Sequence, residues 1–146
     1  MHNKRIGPQL FSATSKLKRI INKSLLEFGV SGAQSRTLNY LYKNKDIKDI
    51  YQKDIEAYLA FRGSSVALMI ISLIDAGFIV RTISQTDKRK KKLELTAKGE
   101  EVAKGTFLVF DAMEKEFIEA FGRKNYDEFI KVLIRFEEIL DLKENV

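Results

Sequence analysis

Apolar residues Leu10, Phe11, Leu17, Ile21, Leu25 and Phe28 recur at helical spacing, which predicts an amphipathic helix over residues 9–28, starting after Pro8. Gly29 and Gly32 break it, and residues 33–44 predict a second helix with Leu38 and Leu41 on one face. The polar stretch "NKDIKD" follows as a loop. Asp49 is expected to open a short helix, "DIYQKDIEAYL", by accepting from the amide of Gln52, with Ile50, Ile55 and Leu59 turned inward. After the tight connection "AFRG", "SSVALMIISLIDAG" predicts a further helix. Ser64 or Ser65 is expected to cap its start, and Gly77 supplies the left-handed residue that ends it.

Two short helices joined by a tight turn read as a helix-turn-helix, although a helical hairpin in any core gives the same pattern. The next residues shift the balance. "FIVRTIS" and "KKLELT" alternate apolar and polar positions across the charged stretch "QTDKRK", which predicts a two-stranded hairpin directly after the second helix. Helix-turn-helix plus hairpin is a winged helix, with a run of five basic residues, Lys88 to Lys92, at the tip of the wing.

Thr96 is placed to cap a long helix through about Phe121, carrying Val102, Val109, Phe110, Met113, Phe117 and Phe121. A last helix is expected near Asn125, whose cap position precedes Glu128 by three residues. It bears Tyr126, Phe129, Leu133, Phe136 and Leu140. A small wing domain cannot cover this much aromatic surface, so a second copy of the chain is the economical partner; a monomeric helical cap is the competing reading. The expected class is mainly α with a small β-hairpin wing (α+β). Residues 31–96 form a winged helix-turn-helix lobe, and residues 1–30 with 97–146 form a helical dimerisation region.

Charge sharpens the picture. The chain of 146 residues has a formal charge of +6, unevenly spread. Residues 1–30 and 31–96 each carry +5, and residues 97–146 carry −4. A basic region followed by a mildly acidic tail suggests a localised anionic partner. There is no cysteine, and the only histidine is His2. Disulfides, thiolate metal sites, thiol switches and Ser-His or Cys-His catalytic pairs are therefore excluded, and no cofactor or catalytic constellation is read. No apolar run is long enough to span a bilayer and no secretion signal is visible, so a cytoplasmic location is the default expectation.

The stretch "TDKRKKKLELTAKG" resembles the wing of the MarR-type (multiple antibiotic resistance regulator) winged helix-turn-helix transcriptional regulators. That wing reads Asp-x-Arg, basic and apolar residues, then Leu-Thr-x-x-Gly; here these fall on Asp87, Arg89, Leu95, Thr96 and Gly99. The stretch from Tyr51 to Arg81 resembles the helix-turn-helix of the same family. The resemblance spans about residues 9–143 and implies a homodimer clasped by its terminal helices on a roughly palindromic operator. It also implies repression in many relatives, relieved by a small anionic or aromatic effector.

A guanidinium at a wing tip suits the narrow, negative A·T minor groove, which makes Arg89 the principal candidate. Asp87 is placed to pair with it and stabilise the wing. Strand side chains alternate, so the lysines cannot all face one way; Lys88, Lys90 and Lys91 are candidates for phosphate attraction. Ser64 and Ser65 suit phosphates or base edges, or plain capping, and Arg62 reaches a guanine or a phosphate. Gln52 and Lys53 begin the preceding helix and are candidates for backbone contacts. Relatives often place polar or basic residues mid-helix where this chain has Ala67 to Ile71, so either Ala67 or Leu68 contacts thymine methyls there, or base readout is limited and specificity comes more from the wing and DNA shape. The alternative function is a winged-helix module that binds an acidic protein partner without DNA.

Overall fold

The computed structural model describes residues 4–146; His2 lies outside them. The helices are α1 (Ile6–Ser24), α2 (Gly32–Asn44), α3 (Gln52–Leu59), α4 (Gly63–Asp75), α5 (Ala97–Phe121) and α6 (Arg123–Glu144), with a 3₁₀ turn at Leu26–Phe28. Between α4 and α5 lies one antiparallel hairpin, β1 (Ile79–Ile83) and β2 (Lys91–Leu95). The expected class, mainly helical with a hairpin wing, is the one observed. The chain divides into two compact units at residues 1–109 and 110–146, the boundary falling within α5.

The first unit is built around Leu38 and Leu41 of α2, Ile50, Ile55 and Leu59 at α3, Val66, Ile70 and Leu73 of α4, and Ile79 and Leu93 of the hairpin, all buried. Each such side chain contributes about 1.5–3 kcal/mol of burial. The hairpin is tied to this core in a second way, since Leu93 N donates to Ile50 O at 2.8 Å. Its register pairs Ile79 with Leu95, Arg81 with Leu93 and Ile83 with Lys91, so Leu93 points inward while the outer strand ends remain in solvent.

Several helix starts differ from the sequence-based expectation, each for a local reason. α1 begins at Ile6, ahead of Pro8. Proline falls in its first turn, where a missing N–H costs nothing. Asp49 does not cap α3. That helix starts two residues later, with Tyr51 at the cap, and Asp54 Oδ2 accepts from Tyr51 N at 2.8 Å. Asp49 instead faces Lys92, at 3.6 Å. Neither Ser64 nor Ser65 caps α4, because Gly63 already belongs to the helix and Arg62 holds the cap position. α6 begins at Arg123, and Asn125 donates to Phe121 O rather than capping.

Two expected helix boundaries are present. At the end of α4, Gly77 adopts φ 80°, and Phe78 N and Gly77 N donate to Leu73 O and Ile74 O, the paired bonds of a Schellman stop. At the start of α5, Gly99 N donates to Thr96 Oγ1 at 3.0 Å. Thr96 also reaches back, its hydroxyl donating to Gly77 O at 2.6 Å and its N–H to Phe78 O at 3.0 Å. The end of α4, the end of the wing and the start of α5 are thus stitched at one residue.

In the second unit, Phe121 stacks on Phe129 with centroids 5.5 Å apart. α6 buries no residue, and Val132, Ile134 and Leu142 are exposed. No single helix among the described residues is long and apolar enough to cross a membrane.

Candidate nucleic-acid interface

The wing tip is organised by one fully buried hydroxyl. Ser84 Oγ accepts from Tyr51 Oη at 2.7 Å, lies 2.9 Å from Thr86 Oγ1, and accepts from the amide of Thr86 at 3.3 Å. Ser84 N donates to Lys90 O, and Lys90 N to Asp87 O, both at 3.0 Å. These bonds fold residues 84–90 into a defined loop at the end of a two-stranded ribbon. In the sequence, Ser84 shows only as a small polar residue at the end of an apolar strand.

Arg89 stands at the tip, its side chain 91% exposed. Asp87 Oδ1 accepts from both Arg89 N, at 3.0 Å, and Arg89 Nε, at 3.2 Å. The bond from the Arg89 guanidinium, then that from its backbone N–H, holds the Asp87 carboxyl below the usual carboxylate range. A lowered pKa means that this brace is present at neutral pH and is lost only as pH falls through the lowered value. Such an exposed pair, screened by solvent, adds little to stability. Its effect is on orientation: it uses Nε and leaves the two terminal nitrogens of the guanidinium to face outward.

The basic run divides by environment. Lys88 and Lys91 are exposed, Lys91 on the outer end of β2. The Lys90 ammonium lies over the Tyr51 ring, 5.3 Å from its centroid. Lys92 turns away from the tip to Glu94, at 2.8 Å, and to Asp49. Its ammonium is held above its ordinary pKa, chiefly by Glu94, so four basic residues remain on the outside of the wing.

At the helix-turn-helix, Ala60 turns the corner in the left-handed region, at φ 56°. Gln52 Nε2 donates to Gly63 O at 3.4 Å and so bridges the start of α3 to the start of α4. Lys53 is exposed. Arg62, Ser64 and Ser65 are exposed together at the N-terminal end of α4, and among the described residues neither serine hydroxyl has a hydrogen-bond partner. The positive end of the helix dipole and a cation therefore coincide, a combination suited to phosphate. From Gly63 to Ile74, α4 carries no charge, and Asp75 ends it. On α2, Gln34 completes a capping box with Ser31 and donates to Ser72 Oγ at 3.0 Å.

Helix-turn-helix, ordered basic wing and stitched α5 define a winged-helix protein. Residues 28–90 match the model of the MarR family, and the chain has a winged-helix fold. No curated protein matches it. Among solved structures it is similar to Staphylococcus aureus MepR in a DNA complex, with 21% identity, 96% of this chain and 99% of that one covered, and a TM-score of 0.87. It is also similar to the transcription regulator MarR from Oenococcus oeni PSU-1, with 21% identity, 92% and 99% coverage and a TM-score of 0.79. A MarR-family transcriptional regulator from Rhodococcus sp. RHA1 is 19% identical over 88% of this chain and 90% of its own, with a TM-score of 0.74. At these identities the likeness is one of fold.

Proposed function

We propose that the chain is a DNA-binding transcriptional regulator that grips a roughly palindromic operator as a homodimer and acts as a repressor relieved by a small molecule. The observation that carries this reading is the braced, outward-facing Arg89 at the end of an ordered basic ribbon. MepR, which has the same fold, is described in complex with DNA. In this arrangement α4 enters the major groove from its N-terminal end. Arg62, Ser64 and Ser65 lie closest to the duplex there, and Gln52 and Lys53 stand beside the backbone. Asp75 at the far end of α4 supports that polarity, since a carboxylate is repelled by phosphate. Arg89 reaches the minor groove, while Lys88, Lys90 and Lys91 attract phosphates.

The exposed apolar face of α6 supports the homodimer, with Val132 62% exposed in the single chain. Residues 31–96 form the DNA-binding lobe in this reading, and the terminal helices form the dimer contact. A cleft of about 600 Å³ between α1, α2 and the α3–α4 turn, lined by Leu17, Ile21 and Phe61 with Lys18 and Arg36, suits an aromatic carboxylate. Phe61 directly precedes Arg62, so an occupant there would press on the turn that positions α4.

Titration of duplex DNA at several salt concentrations tests the reading. The expected log–log slope is about −0.9 per neutralised phosphate, with two chains per operator and release on addition of an aromatic carboxylate. A slope near zero removes the DNA-binding reading, and one chain per operator removes the dimer. Indifference to a panel of aromatic carboxylates removes the effector.

A further inference from the structure

The middle of α4 poses a question that the basic wing does not answer. Val66, Ile70 and Leu73 face the core, and the opposite face presents Leu68, 70% exposed, and Ile71, 46% exposed. Among the described residues, α4 offers no charged side chain before Asp75. Ser72, the polar residue nearest to these two, is already engaged, its hydroxyl donating to Met69 O at 2.6 Å and accepting from Gln34. The helix surface between Ser65 and Asp75 therefore has methyl groups to offer and little else.

We propose that Leu68 and Ile71 are specificity-determining residues that read the C5-methyl groups of thymine in the major groove. This inference rests on the DNA-binding reading above and adds to it the identity of the bases recognised. The thymine methyl is the apolar feature on the major-groove edges of the four bases, and an aliphatic side chain complements it without needing a hydrogen bond. The placement fits. Arg62, Ser64 and Ser65 occupy the end of the same helix that would lie nearest the phosphates. Leu68 and Ile71 follow on the same outward face. Three residues of helix rise by about 4.5 Å, close to one base step of about 3.4 Å, so the two side chains would cover one or two neighbouring A·T pairs. Two aliphatic residues left this exposed have a use in that groove, whereas they would give an acidic protein partner no charge to meet.

Deoxyuridine, which lacks only the C5-methyl group, provides the test. Duplexes retained by the full-length protein from sheared genomic DNA are resynthesised with thymidine or with deoxyuridine, and both are titrated. The wild-type protein is expected to lose about fourfold in affinity per methyl contacted. Leu68→Ala is expected to shrink the ratio, and the pair Leu68→Ala with Ile71→Ala to bring it to about one. Both side chains are exposed, so the variants keep the fold. Equal wild-type affinity for the two duplexes overturns the inference while leaving DNA binding intact, as does an undiminished ratio in the double variant. Retention of no duplex at all removes the regulator reading itself, and this inference with it.

Discussion

Replacing Arg89 with alanine is expected to weaken binding to duplex DNA at least tenfold, about 1.4 kcal/mol, and to leave the melting temperature almost unchanged. Two quantities separate these effects. Within the free protein the Arg89 side chain is 91% exposed and its pair with Asp87 is a surface pair, so its loss costs little stability. In the complex the same guanidinium would meet the concentrated negative potential of a narrow minor groove, where hydrogen bonds to charged groups contribute about 1.5–3 kcal/mol each. In the proposed homodimer two wings would engage the duplex, so the loss would be felt twice. Arg89→Lys separates charge from shape: it keeps the attraction to phosphate but lacks the planar fork, and should recover only part of the affinity. Fluorescence anisotropy with a thermal melt of each variant checks this. Equal affinity of Arg89→Ala and wild type would remove Arg89 from the interface.

The largest effect on stability is expected at Gly99. A Cβ there would run into the Phe78 carbonyl oxygen and crowd the Phe78 carbonyl carbon at 2.8 Å. Both are backbone atoms, and neither can swing aside. That carbonyl already accepts from Thr96 N, and Thr96 also binds Gly77, so a shift there disturbs the stop of α4, the end of β2 and the start of α5 together. Gly99→Ala is expected to cost about 3 kcal/mol or more, which in a chain of this size lowers the melting temperature by about 10 °C. A melt within about 2 °C of wild type would show that α5 can pull away freely. The same geometry gives a physical reason for the spacing Leu95-Thr96-x-x-Gly99: the threonine stitches three elements, and the glycine lets them approach.

Much of this architecture was legible in the residues. The change from helical spacing before Gly77 to alternation in "FIVRTIS" marked the wing, and the buried set Leu38, Leu41, Ile55 and Leu59 followed from periodicity. Helix starts were less legible, because several residues of the right type compete within a few positions. Asp49 and Asp54 are both carboxylates near the first turn of α3, and only the fold shows that Asp54 meets the Tyr51 amide while Asp49 faces Lys92. Ser64 and Ser65 looked like caps because the sequence does not show that Gly63 is already helical.

At the wing, the five basic residues could be seen but not sorted. Lys92 leaves the run through Glu94, two residues on and so on the same side of the strand, a pairing the alternation rule could have anticipated. The Ser84 hydroxyl was hidden for a different reason. Its partners Tyr51 and Thr86 lie 33 and 2 positions away, and only tertiary packing brings all three to one point.

The central claim is that this folded surface grips a particular duplex. The most direct measurement incubates the full-length protein with sheared genomic DNA at low salt and sequences what it retains. The expected result is a small set of enriched fragments sharing two symmetry-related half-sites. Retention of no fragment above the input would contradict it, and would leave the basic wing as a surface for an acidic protein partner.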